Sequence, residues 1–342
     1  LNFKIMKTTL LKRIVIAAYI IWLLPGAAFS QKTNQNNGKI DVHHHIVPQG
    51  YLDLLAEKGI TSSLGTPFPE WSPEISLKFM DKVGIQTAIV SISSPGVYFE
   101  DDKEFSLNIS RWCNNYIAKL KNDYPDQFGG FACIPLGFVE ESIDELIYAI
   151  DTLKLDGVCL LSNYDGIYLG DDKYDSFFEE LNKRKAVVYI HPTDPCEALD
   201  PHLQETGFPN SRLEVLFETT RTVSNLIYTG TTYTYDKIEY ILSHGGGTIP
   251  YVAYRLALGS YTQQGEDMKV GRALYDLILK GEPNYGLKVL RGMFYDTALT
   301  SGEYAYNTLN AFAGSSQIVY GTDFPFSTIT TVTDKNLANH PD

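Results

Sequence analysis

The sequence predicts a (β/α)₈ barrel. Beyond residue 38, eight short runs of apolar and β-branched residues are each bounded by turn residues, and amphipathic helical patterns separate most of them. Strands that alternate with helices pair in parallel through right-handed crossovers, and eight such units close into a barrel. Polar side chains with metal-binding chemistry directly follow several of the runs, as expected at the C-terminal rim of such a barrel.

The elements can be placed along the chain from these patterns. The predicted strands are Lys39–His43, Thr87–Ile92, Gly129–Ile134, Gly157–Leu161, Ala186–Ile190, Ile238–Ser243, Met293–Thr297 and Gln317–Tyr320. The clearest helical patterns are Pro73–Val83, Glu104–Asn122, Val139–Leu153, Tyr174–Arg184 and Leu213–Thr229. The long segment from Pro192 to Leu213 follows the fifth strand and is expected to shape substrate entry. With 19 residues after Asp323, the eighth helix is expected to be short or missing.

The first 30 residues are typical of a signal peptide. A basic start at Lys7, Lys12 and Arg13 precedes the apolar run 14–24, and Ala28-Phe29-Ser30 forms a small-x-small cleavage pattern. We expect export, to a periplasm, with a flexible leader over 31–38, a single barrel domain over 39–342 and no stable membrane anchor after cleavage. An uncleaved anchor helix is the alternative, although the run is short for a bilayer.

Composition narrows the classes of partner. The chain has 342 residues, of which 44% are hydrophobic, which is enough for one large core. A net charge of −13 without a basic stripe argues against nucleic acid. The four cysteines, Cys113, Cys133, Cys159 and Cys196, lack zinc-knuckle spacing, so buried free thiols are expected, with one disulfide left open.

Three histidines and one aspartate at strand ends predict a single metal site. His43 and His45 are two residues apart on the first strand and therefore share a face, whereas His44 points outward. His191 directly follows the fifth strand, and Asp323 comes at the end of the last one, in the segment Val319–Pro325. Three imidazoles and a carboxylate leave one position for water or substrate, as a catalytic metal needs. Taken alone, Asp323 also fits a helix N-cap.

His244 precedes three glycines that leave open space beside its ring. We expect it to act as a general acid or base near the metal, because imidazole titrates close to working pH. A fifth metal ligand and a core histidine are the alternatives. The end of the fourth strand, Gly157 to Ser162, offers no Lys or Glu to bridge two metals, which favours one ion.

These motifs together resemble the amidohydrolase superfamily. The pattern Asp-x-His-x-His, His-Pro, Ser-His-Gly-Gly-Gly and Gly-x-Asp, in this order, is similar to its non-oxidative decarboxylase branch, typified by aminocarboxymuconate semialdehyde decarboxylase. Within that branch the chain most resembles proteins called 6-methylsalicylate decarboxylase. Further segments that carry this likeness are Trp71-Ser72-Pro73-Glu74, Ser91–Gly96, Glu218–Arg221 and His244–Pro250, and the likeness covers about residues 39–326.

The resemblance implies one Zn²⁺, or else Mn²⁺, held by His43, His45, His191 and Asp323, with His244 catalytic. It also implies a homodimer in which Arg255 reaches the neighbouring subunit's site and binds a substrate carboxylate. The branch's other carboxylate-binding arginine has no counterpart, since 14–110 contains none. Arg221 could replace it, with a surface salt bridge as the alternative.

The expected activity is metal-dependent, non-oxidative decarboxylation of a small carboxylic acid, either aromatic and hydroxybenzoate-like or enoic. The metal would bind the phenolic and a carboxylate oxygen, and Asp323 or His244 would help to protonate the ring carbon. Trp71, Phe217 and Tyr295 are candidates for the apolar wall of the pocket. The alternatives are a metal-dependent hydrolase of a lactone, ester or amide, and an inactive binding protein of the envelope.

Overall fold

A computed structural model describes residues 38–195, 209–259 and 285–327. All eight predicted strands are present, and none of their ends differs from the predicted one by more than two residues. They pair in parallel and in chain order in one eight-stranded sheet. The strands are β1 Lys39–His45, β2 Ile85–Ser91, β3 Phe128–Cys133, β4 Gly157–Leu161, β5 Val187–His191, β6 Glu239–Leu242, β7 Phe294–Asp296 and β8 Ile318–Val319.

Backbone hydrogen bonds join the end of the sheet to its beginning. The Val42 N–H donates to the Tyr320 carbonyl at 3.0 Å, and the Asp323 N–H donates to the His43 carbonyl at 2.8 Å. His44 and Phe324 also form a parallel bridge. The sheet is thereby closed into the predicted barrel, and Asp323 is held directly against the strand that carries His43 and His45.

The five predicted helices are present within a few residues of their predicted positions, and five further helices of the described chain lie before or after them. Their bounds are α1 Gln49–Glu57, α2 Pro73–Val83, α3 Lys103–Asp123, α4 Val139–Ile147, α5 Asp175–Arg184, α6 Glu214–Tyr228, α7 Thr231–Thr234, α8 Ile249–Gly259, α9 Tyr285–Gly292 and α10 Glu303–Ala313. A π-helical turn at Tyr148–Thr152 continues α4. Local chemistry sets the ends of α2: Ser72 caps the first turn, Pro73 begins the helix, and Gly84 closes it in the left-handed conformation.

An apolar layer fills the barrel beneath the polar strand ends. All eight strands contribute to this layer, which consists of Val42, Ile89, Phe131, Cys159, Val187, Tyr189, Ile241, Phe294 and Val319. The Phe131 and Tyr189 rings stack at 5.4 Å between centroids. Because side chains fill the barrel interior, substrates cannot enter it, and a catalytic site is expected at the C-terminal rim. This apolar layer forms the floor of that site.

Two short hairpins lie at that rim. One pairs Ser62–Ser63 with Thr66–Pro67, and the other pairs Asn163–Tyr164 with Ile167–Tyr168. Cys113, Cys133 and Cys159 are buried free thiols, as expected, and Cys196 lies outside the described residues. So do the predicted signal peptide, most of the leader and the region of the eighth helix. Within the described part of the chain, none of the helices combines the length and the apolar character needed to cross a bilayer.

Candidate metal centre

A β-bulge shapes the first strand, where two histidines meet. The pairing of β1 with β2 shifts register between Asp41 and His44, so that the side-chain alternation is interrupted there. Val42 joins the apolar floor, while His43 and His45 bring their Nε2 atoms within 3.0 Å of each other. His44 points into the outer layer, where its Nδ1 lies 3.1 Å from Asp41 Oδ2. The bulge therefore lets the adjacent residues Val42 and His43 both face the barrel interior, so that His43 and His45 meet above the apolar layer.

The other strand ends add ligand atoms to the same point. Asp323 Oδ1 lies 3.3 Å from His43 Nε2 and 3.4 Å from His45 Nε2. His43, His45 and His191 offer nitrogens that all lie within 4.8 Å of one another, and so do the ligand atoms of His43, His244 and Asp323. Ligands bound at about 2.0–2.2 Å stand roughly 3 Å apart around a small cation. The spacing of these donor atoms fits one divalent metal ion.

Each of the three predicted nitrogen ligands has its second ring nitrogen occupied. His43 Nδ1 lies 2.7 Å from Asp296 Oδ2, His45 Nδ1 lies 3.0 Å from Ser91 Oγ, and His191 Nδ1 lies 2.8 Å from the Pro192 carbonyl. Acceptors at these positions favour the tautomer that carries its proton on Nδ1. The Nε2 lone pairs then remain available to a metal, as is typical of metal-binding histidines.

Burial and charge set the protonation of the cluster. Burial lowers the pKa of His45 to about 4, and burial together with neighbouring imidazoles lowers the pKa of His191 well below its usual value. Both rings are thus neutral at pH 7, the form that binds a metal. Burial also disfavours charge on His43, but the carboxylates of Asp296 and Asp323 outweigh it and raise its pKa to about 10.

Asp323 remains ionised in this setting. Burial alone would raise the pKa of its carboxyl group, but the imidazole of His43 and hydrogen bonds from the surrounding histidines hold that pKa well below its usual value. The backbone of Asp323 has a positive φ of 62°, a conformation that residues other than glycine rarely adopt. The strained backbone and the buried carboxylate between imidazoles are both consistent with Asp323 as a metal ligand.

His244 lies beside the cluster on a turn that requires glycine. Its own φ is 52°, and Gly245, Gly246 and Gly247 all have positive φ. A Cβ atom on Gly247 would come within 2.1 Å of the Leu216 carbonyl oxygen. His244 Nε2 stands 3.8 Å from Asp323 Oδ2, and its buried Nδ1 has no hydrogen-bond partner among the described residues. The ring thus has a free nitrogen and a neighbouring carboxylate with which a proton can be exchanged.

Asp296 connects His43 to His244, and it was not among the residues predicted from the sequence. It is fully buried at the end of β7. Its carboxylate accepts hydrogen bonds from Tyr189 Oη at 3.0 Å and from the His244 N–H at 2.9 Å, besides its contact with His43. The signal was present, because this aspartate is the next-to-last residue of the predicted strand Met293–Thr297, close to the same rim as His191 and Asp323. It was overlooked because the expected ligand set was already complete.

A cavity of about 230 Å³ opens over the cluster. Three polar residues of the centre line it, namely His191, His244 and Asp323. The rest of its wall comes from the 62–67 hairpin, the start of α6 and the strand ends, and consists of Ser63, Leu64, Thr66, Ser93, Ser211, Arg212, Val215, Leu299, Phe326 and Ser327. A cavity of this size beside a metal site suits one small molecule.

The candidate substrate residues lie elsewhere in the described chain. Trp71 does not line the cavity, contrary to expectation: its Nε1 donates to Ser76 Oγ at 2.8 Å, in the layer behind His44. Arg221 forms an ion pair with the buried Glu218 at 2.7 Å, which is the salt-bridge alternative. Of the other wall candidates, Phe217 is an exposed residue of α6 and Tyr295 is buried in the core. Arg255 is exposed on α8, so its predicted reach into a second subunit stays a prediction.

Comparisons with known proteins agree with this architecture. A family model described as amidohydrolase matches residues 40–338. The decarboxylase yanB of Aspergillus niger is 36% identical over 305 residues, covering 86% of this chain and 79% of the relative. The 6-methylsalicylic acid decarboxylase of Aspergillus aculeatus is 33% identical over 291 residues, covering 84% of each. A solved structure of an amidohydrolase II superposes with a TM-score of 0.75 at 26% identity, covering 89% of this chain and 91% of that one.

Proposed function

This chain belongs to the amidohydrolase family, and from that premise we propose that it is a metal-dependent carboxy-lyase that decarboxylates a small aromatic acid. One observation carries the proposal: the decarboxylases it resembles align over more than four fifths of the chain. The site fits that chemistry, because a divalent-metal cluster adjoins a small cavity. The same donor set could activate water in a hydrolase, so the relatives decide between the two reactions.

In this reaction the bond between ring and carboxyl carbon breaks, its electron pair remains on the ring, and CO₂ leaves. A bound divalent ion would supply Lewis acidity and hold the substrate's oxygens. The ring carbon must receive a proton, and His244 and Asp323 are the cavity residues we assign to that transfer. Because Asp323 is ionised at neutral pH, it must first take a proton from solvent before it can donate one to the ring carbon, and His244 Nε2 lies 3.8 Å from its Oδ2 beside that path.

We propose a hydroxybenzoate with an apolar ring substituent as the substrate. Four apolar side chains line the cavity together with the polar cluster, namely Leu64, Val215, Leu299 and Phe326. The Phe326 ring stands edge-on to His45 with 5.7 Å between centroids. Such a wall favours an aromatic ring with an alkyl group. This preference fits the 6-methylsalicylic acid named for one relative.

For the metal we propose Zn²⁺ first and Mn²⁺ second, held by His43, His45, His191 and Asp323. Three imidazole nitrogens and one carboxylate oxygen suit Zn²⁺ and leave a position open for substrate. A nitrogen and oxygen set also accepts Mn²⁺. Anaerobic loading of the stripped protein with each ion in turn, followed by the activity assay, distinguishes the two.

We also propose that the active unit is a homodimer in which Arg255 enters the partner's site. Tyr251, Tyr254 and Arg255 are exposed on α8 and, at spacings of three and four residues, share one face of that helix. Tyr251 is 87% exposed and Tyr254 64%, which is unusual for aromatic side chains side by side. Sedimentation of the wild type and of a Tyr251→Glu variant tests this: a monomeric wild type would refute it.

Export to a periplasm is proposed on the N-terminal pattern alone, with its basic start, apolar run and Ala28-Phe29-Ser30. N-terminal sequencing of protein recovered from a periplasmic fraction checks it. A mature chain that begins at Gln31 is the expected result. A protein that stays in the cytoplasm with residues 1–30 attached would refute it.

The decarboxylase proposal is tested on protein from Gln31 onward, loaded with Zn²⁺ or Mn²⁺ and incubated with a panel of hydroxybenzoates. We expect CO₂ release from at least one acid, and its loss both after metal removal and in Asp323→Ala. A folded, metal-loaded protein that releases no CO₂ from any of them would contradict the proposal. Hydrolysis of lactones and esters would then be assayed.

A further inference from the structure

Among the described residues that line the cavity, Arg212 alone carries a guanidinium group. We propose that Arg212 binds the carboxylate of the substrate before CO₂ leaves, in place of the Arg221 that the sequence suggested. This inference rests on the proposed decarboxylation, because it assigns a partner to the group that the reaction removes. It is argued from the position of Arg212, from its charge and from the course of the reaction.

The turn that carries Arg212 is attached to the metal centre. Asn210–Arg212 forms a 3₁₀ turn directly before α6, and the Arg212 N–H donates to the Pro209 carbonyl at 3.0 Å. Asn210 Nδ2 donates to Asp194 Oδ1 at 2.7 Å, and Asp194 lies three residues beyond His191. The strand end that supplies a metal ligand thus also positions the arginine on the cavity wall.

Arg212 has no anionic partner among the described residues, and unlike other unpaired arginines it lies on the cavity wall. Arg111, Arg184 and Arg221 each form an ion pair with a carboxylate. None of the described carboxylates lies in salt-bridge range of Arg212, although it lines the same cavity as His191, His244 and Asp323. Guanidinium groups bind carboxylates through paired hydrogen bonds. In a chain of net charge −13, an unpaired arginine on the cavity wall is suited to an anionic ligand.

The charged side chains that line the cavity determine which substrates it can bind. Asp323 brings a carboxylate to the cavity wall, so that without a cation an incoming carboxylate would be repelled. The divalent ion and Arg212 together offset that repulsion for a substrate with one carboxylate.

The course of the reaction predicts which kinetic constant Arg212 controls. As the bond to the ring breaks, negative charge leaves the carboxylate for the ring, and the departing CO₂ is neutral. An arginine on the carboxylate therefore interacts more strongly with the bound substrate than with the transition state. Removing such an interaction raises KM without lowering kcat, which stays the same or rises, because the bound substrate loses at least as much stabilisation as the transition state. Removing a group that transfers the proton would instead lower kcat.

The test compares Arg212→Gln and Arg212→Lys with Arg291→Gln as the matched control. Arg291 is exposed on α9, also lacks a carboxylate partner among the described residues, and lies over the Phe312 ring away from the cavity. For Arg212→Gln we expect KM to rise about 10- to 100-fold, the range of one charged hydrogen bond, with kcat unchanged or higher. Arg212→Lys should recover part of the loss, and Arg291→Gln should match the wild type.

A binding experiment separates this inference from the proposed function. On metal-loaded protein, calorimetry would compare 2-hydroxy-6-methylbenzoate with 3-methylphenol, which has the same ring and methyl group without the carboxylate. At a temperature where turnover is negligible, Arg212→Gln should weaken the benzoate about 10-fold or more and leave the phenol unchanged. Equal weakening of both ligands, an unchanged benzoate affinity, or a wild type that does not bind the benzoate would overturn the assignment. Absence of CO₂ release with normal benzoate binding would contradict only the decarboxylase.

Discussion

The metal centre and the cavity mouth are built in opposite ways. In the centre, His43, His45 and Asp296 are completely buried, and each ring has a fixed partner for its second nitrogen. At the mouth, Arg212 and Leu299 are exposed, and they lie on turns between elements of secondary structure. The difference indicates that metal binding depends on side chains locked by several partners, whereas substrate preference depends on turns that can change without disturbing the barrel.

The largest effect is expected from His43→Ala. Removing this ring takes away a donor atom shared by both candidate ligand groups and leaves Asp296 as a buried charge without its imidazole partner. We expect metal content near zero and complete loss of activity together, measured by elemental analysis and CO₂ release on folded protein.

His44→Ala is the matched control for that prediction, because His44 is the adjacent residue on β1 and points into the outer layer toward Asp41 and Ser76. It should retain the metal. Equal metal loss in the two variants would show that the strand, and not the ligand set, was damaged, and the proposed centre would lose its main support.

His244→Ala tests whether His244 transfers a proton or binds the metal. If His244 transfers a proton and does not bind the metal, activity should fall about 10²- to 10⁴-fold while metal content stays at the wild-type level. The control is Asp323→Ala, which should lose both. A His244→Ala protein that loses its metal would make this residue a fifth ligand and would refute the catalytic role.

Asp296→Asn tests whether the fixed partners of the centre matter as much as the ligands do. The carboxylate holds the His43 proton on Nδ1 and, together with that of Asp323, raises the pKa of that ring to about 10. Replacing it should weaken metal binding about 10- to 100-fold, the usual effect of losing such a partner. An unchanged metal affinity would show that Asp296 only fills space.

Proton release gives this prediction a readout that simple destabilisation would not produce. With a pKa of about 10, His43 of the metal-free protein carries an extra proton at pH 8, and a metal can bind only after displacing it. The asparagine variant has a lower pKa at His43, and it should release fewer protons per metal bound at pH 8. Asp151→Asn, at a surface ion pair with Arg184, serves as control.

The centre was more predictable from the sequence than the mouth for a physical reason. Barrel strands end at one rim, so polar residues directly after apolar runs, such as His191 and Asp323, necessarily approach one another. The bulge at Asp41–His44 could not be foreseen, since spacing alone predicts strict alternation. Arg212 and Leu64 lie on turns whose course depends on tertiary contacts, and their sequence contains no period from which a position at the cavity could be read.

The smallest effect is expected at the mouth, from Leu299→Ala. Leu299 lines the cavity with a positive φ of 53°, and alanine bears the same backbone strain, so the change removes apolar surface without relaxing the turn. We expect the preference for 2-hydroxy-6-methylbenzoate over 2-hydroxybenzoate, expressed as the ratio of kcat/KM values, to fall up to about tenfold. Metal content should not change, and Tyr304→Ala, at a residue 88% exposed and away from the cavity, should keep the wild-type ratio. A loss of metal in Leu299→Ala would show that centre and mouth are coupled, and the separation between them would have to be abandoned.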